Sequence, residues 1–203
     1  MKKNFSILFT LLFLQTWSQE NKSLEYQKKT FDEANEYLKK LEYSSAAGAF
    51  QYVNELNPKN EIGKIALKKS DSLRPIARQK LKESLIGKWK LAETGSNWGM
   101  EKTQDTLIEK ILIIDENKFH FYEKNVKTKE IKLVKSEKMN FSKGINENFY
   151  SYEFVFSDNQ IWYFSVNPKT NKLRQVNTGE DKEIGRSEIV CGNLELYYTR
   201  ILY

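Results

Sequence analysis

The sequence is poor in the residues that most often carry chemistry or covalent reinforcement. Its 203 residues include one cysteine, Cys191, one histidine, His120, three prolines and nine glycines. A lone cysteine can form no internal disulfide, so the fold must be held by burial and hydrogen bonding, and Cys191 is expected to pack inside or near a turn. Zinc and copper centres need several His or Cys ligands, which this chain does not have, so no metal site is expected. Asp115 and Glu116 read as part of a hairpin turn rather than as ligands for a hard cation. No Gly-x-Ser-x-Gly elbow occurs, no Ser or Cys is paired with a base by recognisable context, and no glycine-rich phosphate loop is present. Acidic side chains alternate with lysine on outward positions, as solvated charges do, which speaks against a carboxylate pair for glycoside chemistry. The chain is therefore expected to be no enzyme, to have no catalytic residues and to need no cofactor.

Long hydrophobic runs are equally scarce. One uncharged stretch, Phe5 to Leu14, follows Lys2-Lys3 and precedes Thr16-Trp17-Ser18, whose small residues stand three and one before Gln19. This is the pattern of a secretory signal peptide over residues 1 to 18. An uncleaved anchor is the other reading, but the run falls short of the roughly 20 residues a spanning helix needs. The mature chain is expected to be periplasmic or secreted, with no membrane span after cleavage and, since Cys191 is far from the cleavage point, no lipid anchor. The formal charge of +6 falls to +4 once Lys2 and Lys3 leave with the leader. Lysine and glutamate are interspersed and no arginine-rich block occurs, which speaks against a nucleic-acid partner.

What the chain does contain is aromatic residues, 13% of the total, and two distinct periodicities that meet at Leu85-Ile86-Gly87-Lys88-Trp89-Lys90-Leu91. Residues 19 to 84 read as helical. Leu24, Phe31, Ala34, Leu38 and Leu41 fall along one side of a helix. Ser44 and Ser45 then offer a cap, and Ala46, Ala49, Phe50, Val53 and Leu56 make a second stripe that stops at Asn57-Pro58. A third pattern through Ile62, Ile65 and Ala66 is expected to be interrupted at Arg74-Pro75, because proline disfavours helix in the residue before it. Ala34, Tyr37, Ala46, Phe50 and Pro58 also stand where a tetratricopeptide repeat places small, Tyr, Ala, Phe and Pro, so the hairpin resembles one such repeat. Thr30 and Glu33 depart from that pattern. A single unit has an uncovered face, which either docks within the chain or is kept for another protein.

Residues 85 to 203 read as strands separated by polar turns. The alternation places them at 86 to 93, 107 to 114, 118 to 124, 129 to 138, 149 to 157, 160 to 166, 171 to 177, 186 to 191 and 194 to 201. Turns such as Asp115-Glu116-Asn117 and Ser157-Asp158-Asn159 are short enough to force antiparallel neighbours. The expected fold class is therefore α+β, a helical hairpin followed by an antiparallel up-and-down barrel of eight or nine strands, with a two-sheet sandwich as the other closure. Tyr150, Tyr152, Phe154 and Phe156 share one strand face, and Trp162, Phe164 and Val166 share another. In the last strand Leu194, Leu196, Tyr198 and Arg200 fall together, which carries Arg200 inward with the apolar set.

Gly87-Lys88-Trp89 at the start of this region and Tyr198-Thr199-Arg200 at its end resemble the closing elements of lipocalin-like barrels. The resemblance implies that Trp89 closes one end of the barrel, with Arg200 lying across its ring and Gly87 beside them. The Thr-Asp-Tyr signature of typical lipocalins is absent and the barrel is shorter than theirs. Tyr152, Phe154, Trp162, Phe164 and Tyr198 are the candidate lining for a small apolar ligand; the other reading is that these rings fill the barrel as core. His120, between Phe119 and Phe121, belongs on the outer or rim face. Two functions fit. One is an exported, non-enzymatic binding module for a small apolar ligand. The other is an accessory or scaffolding component of a bacterial envelope assembly, with the helical segment presented to a partner protein.

Overall fold

The computed structural model describes residues 23–103, 105–143, 151–183, 185–188 and 192–201. The expected leader, Tyr150 and Cys191 lie outside the described residues. The chain divides into two units, Met1–Gln79 and Lys80–Tyr203.

The first unit is helical: α1 covers 23–39, α2 is Tyr43–Leu56, and α3 begins at Glu61 and runs to Leu85. Small residues let these helices approach, since Ala34, Ala46, Ala47 and Ala66 are buried around Phe50 and Val53. Phe31 meets Phe50 edge to face at 5.3 Å, and Lys69 lays its ammonium over both rings. Gln27, 1% exposed, is the polar pin of this core. Its Nε2 donates to the Val53 carbonyl at 2.9 Å, and its Oε1 accepts from Asn60 Nδ2 at 2.6 Å. Asn60 Oδ1 in turn accepts from the Gly63 amide and so caps α3. Of the tetratricopeptide-like positions, Ala34, Ala46 and Phe50 share the buried cluster, whereas Tyr37 is 39% exposed.

The helix does not break at Arg74-Pro75; α3 passes through Pro75 without interruption. Proline removes the amide that would serve the Asp71 carbonyl. Both residues are exposed, so water can take that acceptor, while Leu73 and Ala77 are buried and Arg74 is tied to Asp71 and Gln51. Tertiary packing outweighs the local penalty.

The second unit has the expected α+β class, an antiparallel sheet that follows the helices. Its ten strands are β1 (Gly87–Ser96), β2 (Gly99–Lys102), β3 (Ile108–Ile114), β4 (Lys118–Asn125), β5 (Ile131–Lys138), β6 (Phe154–Val155), β7 (Gln160–Val166), β8 (Lys172–Lys182), β9 (Gly185–Glu188) and β10 (Glu195–Arg200). Their order is β5-β4-β3-β1-β10-β8-β7-β6, with β2 paired to β1 and β9 to β8. Thus eight strands are neighbours in sequence order around the path, and β2 and β9 are short hairpin partners.

The two ends of the path meet at a short seam. Phe141, just beyond β5, bridges Phe154 of β6. Ser142 donates its amide to the Glu153 carbonyl at 2.7 Å, and Val155 donates to Asn140 at 2.9 Å. The seam continues through a side chain: the buried Glu137 carboxylate accepts from the Ser157 amide and from its hydroxyl, both at 2.9 Å. The strand expected over 149 to 157 is thus reduced to Phe154–Val155 among its described residues. Alternation of aromatic side chains sets which way they point but supplies no partner for the backbone. Hairpin strand β2, in turn, has no counterpart among the expected strands.

Candidate functional site

One end of the barrel is filled. Phe119 is fully buried and stacks on Phe164 with centroids 4.7 Å apart, and Phe154 and Phe156 lie 5.1 and 5.4 Å from it. Phe141 stacks on Phe154 at 4.6 Å, under the Lys82 ammonium. Trp89, also fully buried, donates its indole N–H to the Leu85 carbonyl at 2.9 Å and so serves an acceptor left over where α3 ends. Across the β1/β10 ladder Trp89 is the register partner of Arg200, whose guanidinium carbon lies 4.7 Å from the indole centroid. Arg200 is not carried into the interior: it is exposed, covers the ring from outside, and donates from Nη2 to the Ile86 carbonyl at 2.6 Å. Gly87 makes room for it. Its φ of 151° is in the region open to glycine, and a Cβ there would stand 3.1 Å from Arg200 Nη2.

The other end is hollow. A cavity of about 870 Å³ extends between the far halves of the strands. Its buried lining is Leu91, Leu112, Phe156, Trp162, Gln175 and Tyr198. The charged lining residues, among them Lys90, Glu109 and Lys135, are exposed or half-exposed. These charges are tied to one another: Lys90 donates to Glu109 at 2.6 Å, and Lys124 stands 3.5 Å from the same carboxylate. The Lys90 ammonium holds the Glu109 carboxyl below its usual range. Lys135 reaches Glu137 and Asp158 and lies over Phe121 and Phe156.

Of the candidate lining residues, Trp162 and Tyr198 border this cavity, whereas Phe154 and Phe164 belong to the filled end and Tyr152 is half-buried outside the lining. The residue that sequence reasoning passed over is Gln175. It is 2% exposed and accepts the Tyr198 hydroxyl on Oε1 at 2.8 Å. Its signal was present, since Gln175 shares a strand face with Leu173. Burial pushes the Tyr198 phenol far above its ordinary value, so it remains a donor. Trp162 is 9% exposed, and its Nε1–H is shielded from water without a hydrogen-bond partner among the described residues.

A second cluster lies on the outside. His120 in β4 contacts Ser136 Oγ through Nδ1 at 2.8 Å and Asp115 Oδ2 through Nε2 at 2.9 Å. The carboxylate can only accept, so Nε2 carries the proton and Ser136 donates to Nδ1 in the neutral ring. The amides of Asn117 and Lys118 occupy Asp115 Oδ1, and the Asn117 amide with the His120 contact lowers the Asp115 carboxyl. The sequence alone could not reveal the trio, which depends on the β4/β5 register. Its nitrogens are assigned opposite to those of a serine-protease triad, and the depression beside it is bounded by Asp115, Glu116, Asn117, Lys118 and His120 of one hairpin. That arrangement fixes the β3/β4 turn.

Among the described residues no group of three or more His, Cys, Asp or Glu side chains is placed to hold a metal ion, and no helix is long and apolar enough to cross a membrane. No family model matches this chain, and no curated protein matches it. A search of solved structures returns lobster apocrustacyanin A1, at 11% identity and a TM-score of 0.31, over 62% of this chain and 69% of that one.

Proposed function

We propose that the second unit is a non-enzymatic binding module that takes up a small apolar molecule in the hollow end of its barrel. The supporting observation is the cavity itself: about 870 Å³, with aliphatic and aromatic walls and a few buried polar atoms, inside the range of about 300–1,000 Å³ usual for small-molecule sites. Burial of apolar ligand surface supplies the affinity, at roughly 25 cal/mol per Å² before the cost of association is subtracted.

Native mass spectrometry of freshly purified protein, with titration by the uncharged fluorophore N-phenyl-1-naphthylamine, tests this reading. A retained mass or a saturable rise in emission supports it; the absence of both overturns it. The reading places the protein outside the cytoplasm, after removal of residues 1 to 18. Amino-terminal sequencing of exported protein, expected to begin at Gln19, tests that part independently.

A further inference from the structure

The buried lining of the cavity holds a side-chain amide and no charged group. Gln175 is the central group. Its Oε1 is taken by Tyr198, and among the described residues its Nε2 has no hydrogen-bond partner. Trp162 is the diagonal neighbour of Gln175 across the β7/β8 ladder, where Phe164 pairs with Gln175 and Trp162 with Asn177. Its indole N–H is likewise without a partner among the described residues. Both side chains border the cavity, but the Trp162 N–H is shielded from it, so Gln175 Nε2 is the donor that a ligand there can reach. A ligand acceptor placed on that amide gains a hydrogen bond that a purely apolar occupant cannot make.

We infer that the ligand is neutral and carries a hydrogen-bond acceptor, a ketone, ester or amide carbonyl on an apolar body, whose oxygen takes the Gln175 Nε2–H. This inference rests on the proposed binding function and names the chemistry of the occupant. A carboxylate fits this lining poorly: none of the six buried lining residues is charged, and a desolvated anion needs a partner of opposite sign. Lys90 and Lys135, two exposed cations of the lining, are already engaged by Glu109 and by Glu137 and Asp158. An amine fits no better, because a desolvated ammonium needs a carboxylate partner and the buried lining has none.

The test is a ten-carbon series that differs only in its head: decane, 2-decanone, decanoate and 1-decylamine, each displacing N-phenyl-1-naphthylamine from the full chain. In the wild type 2-decanone should bind tightest, by about threefold to tenfold over decane, the worth of one net hydrogen bond. Gln175→Leu should remove that preference, read as the ratio of 2-decanone to decane affinity within the variant. Because Gln175→Leu strands the Tyr198 hydroxyl, the double variant Gln175→Leu with Tyr198→Phe is measured beside it, and loss of preference in both supports the assignment. Tighter binding of decanoate or decylamine, or a ketone preference that survives both variants, overturns it. If the fluorophore and all four compounds fail to bind, the binding reading itself fails; if decane binds as well as 2-decanone, only the acceptor assignment fails.

Discussion

The two ends of the barrel are made from the same strands and differ in what those strands place inside. At the Trp89 end, large rings meet in the middle and leave no space: Phe119 alone touches three others. At the Trp162 end, Leu91, Leu112 and Gln175 stand where further rings would have filled the volume, and a cavity remains. One barrel thus separates stability from binding along its axis, and substitutions at the two ends should separate in the same way.

The largest effect is expected at the filled end. Phe119→Ala should cost about 3–5 kcal/mol in urea unfolding followed by circular dichroism, through a void the neighbouring rings cannot close. Trp162→Phe at the hollow end should cost less than about 1.5 kcal/mol, because it conserves most of the shape and removes a donor whose need is unmet. Equal losses at the two positions would erase the distinction between the ends. Next in size is the seam. Glu137→Ala leaves the Ser157 amide and hydroxyl without their acceptor and should cost about 1–3 kcal/mol, together with faster amide exchange at residues 140 to 142 and 153 to 155. Arg200→Ala should cost about 1 kcal/mol, because a cation over an aromatic face is worth that much at an exposed site, and should red-shift the Trp89 emission as water reaches the ring.

The smallest effect is a pH dependence. Arg174 binds both oxygens of Glu195 at 2.6 and 3.0 Å and lowers its carboxyl. Glu153 is pushed up by burial, but Arg186, Thr178 and Ser151 together bring it below its ordinary value. A carboxyl depressed in the folded state contributes stability that is complete above its unfolded pKa, about 4.3 for glutamate, and is lost as pH falls through the folded value. Stability should therefore decline below about pH 4.3, and Glu195→Gln should make that decline shallower. A slope that Glu195→Gln leaves unchanged would remove Glu195 from the account.

Much of this architecture was legible in the sequence. The change of periodicity at Leu85, the antiparallel order and the inward rings of β7 follow from spacing alone, because a strand with one buried face must alternate. What spacing could not supply was pairing. The aromatic alternation before Phe156 promised a long strand, yet β6 is two residues, since its length depends on which backbone lies opposite. Pro75 promised a break that packing along α3 overrides. In the site, Trp162 and Tyr198 were readable as inward aromatics, whereas Gln175 was hidden by its polarity, the property that gives it its place in the cavity. The division of the rings between filled and hollow ends depends on strand stagger, which side-chain type does not encode.

The pairing of Trp89 with Arg200 joins the first strand of the barrel to its tenth. Such a fold has no partial version that is already sealed: until the ribosome has delivered the arginine, β1 lacks one of its flanking strands and the tryptophan lacks its cover. Folding of this unit is therefore bound to be a late, long-range event, slower than that of the helices made before it.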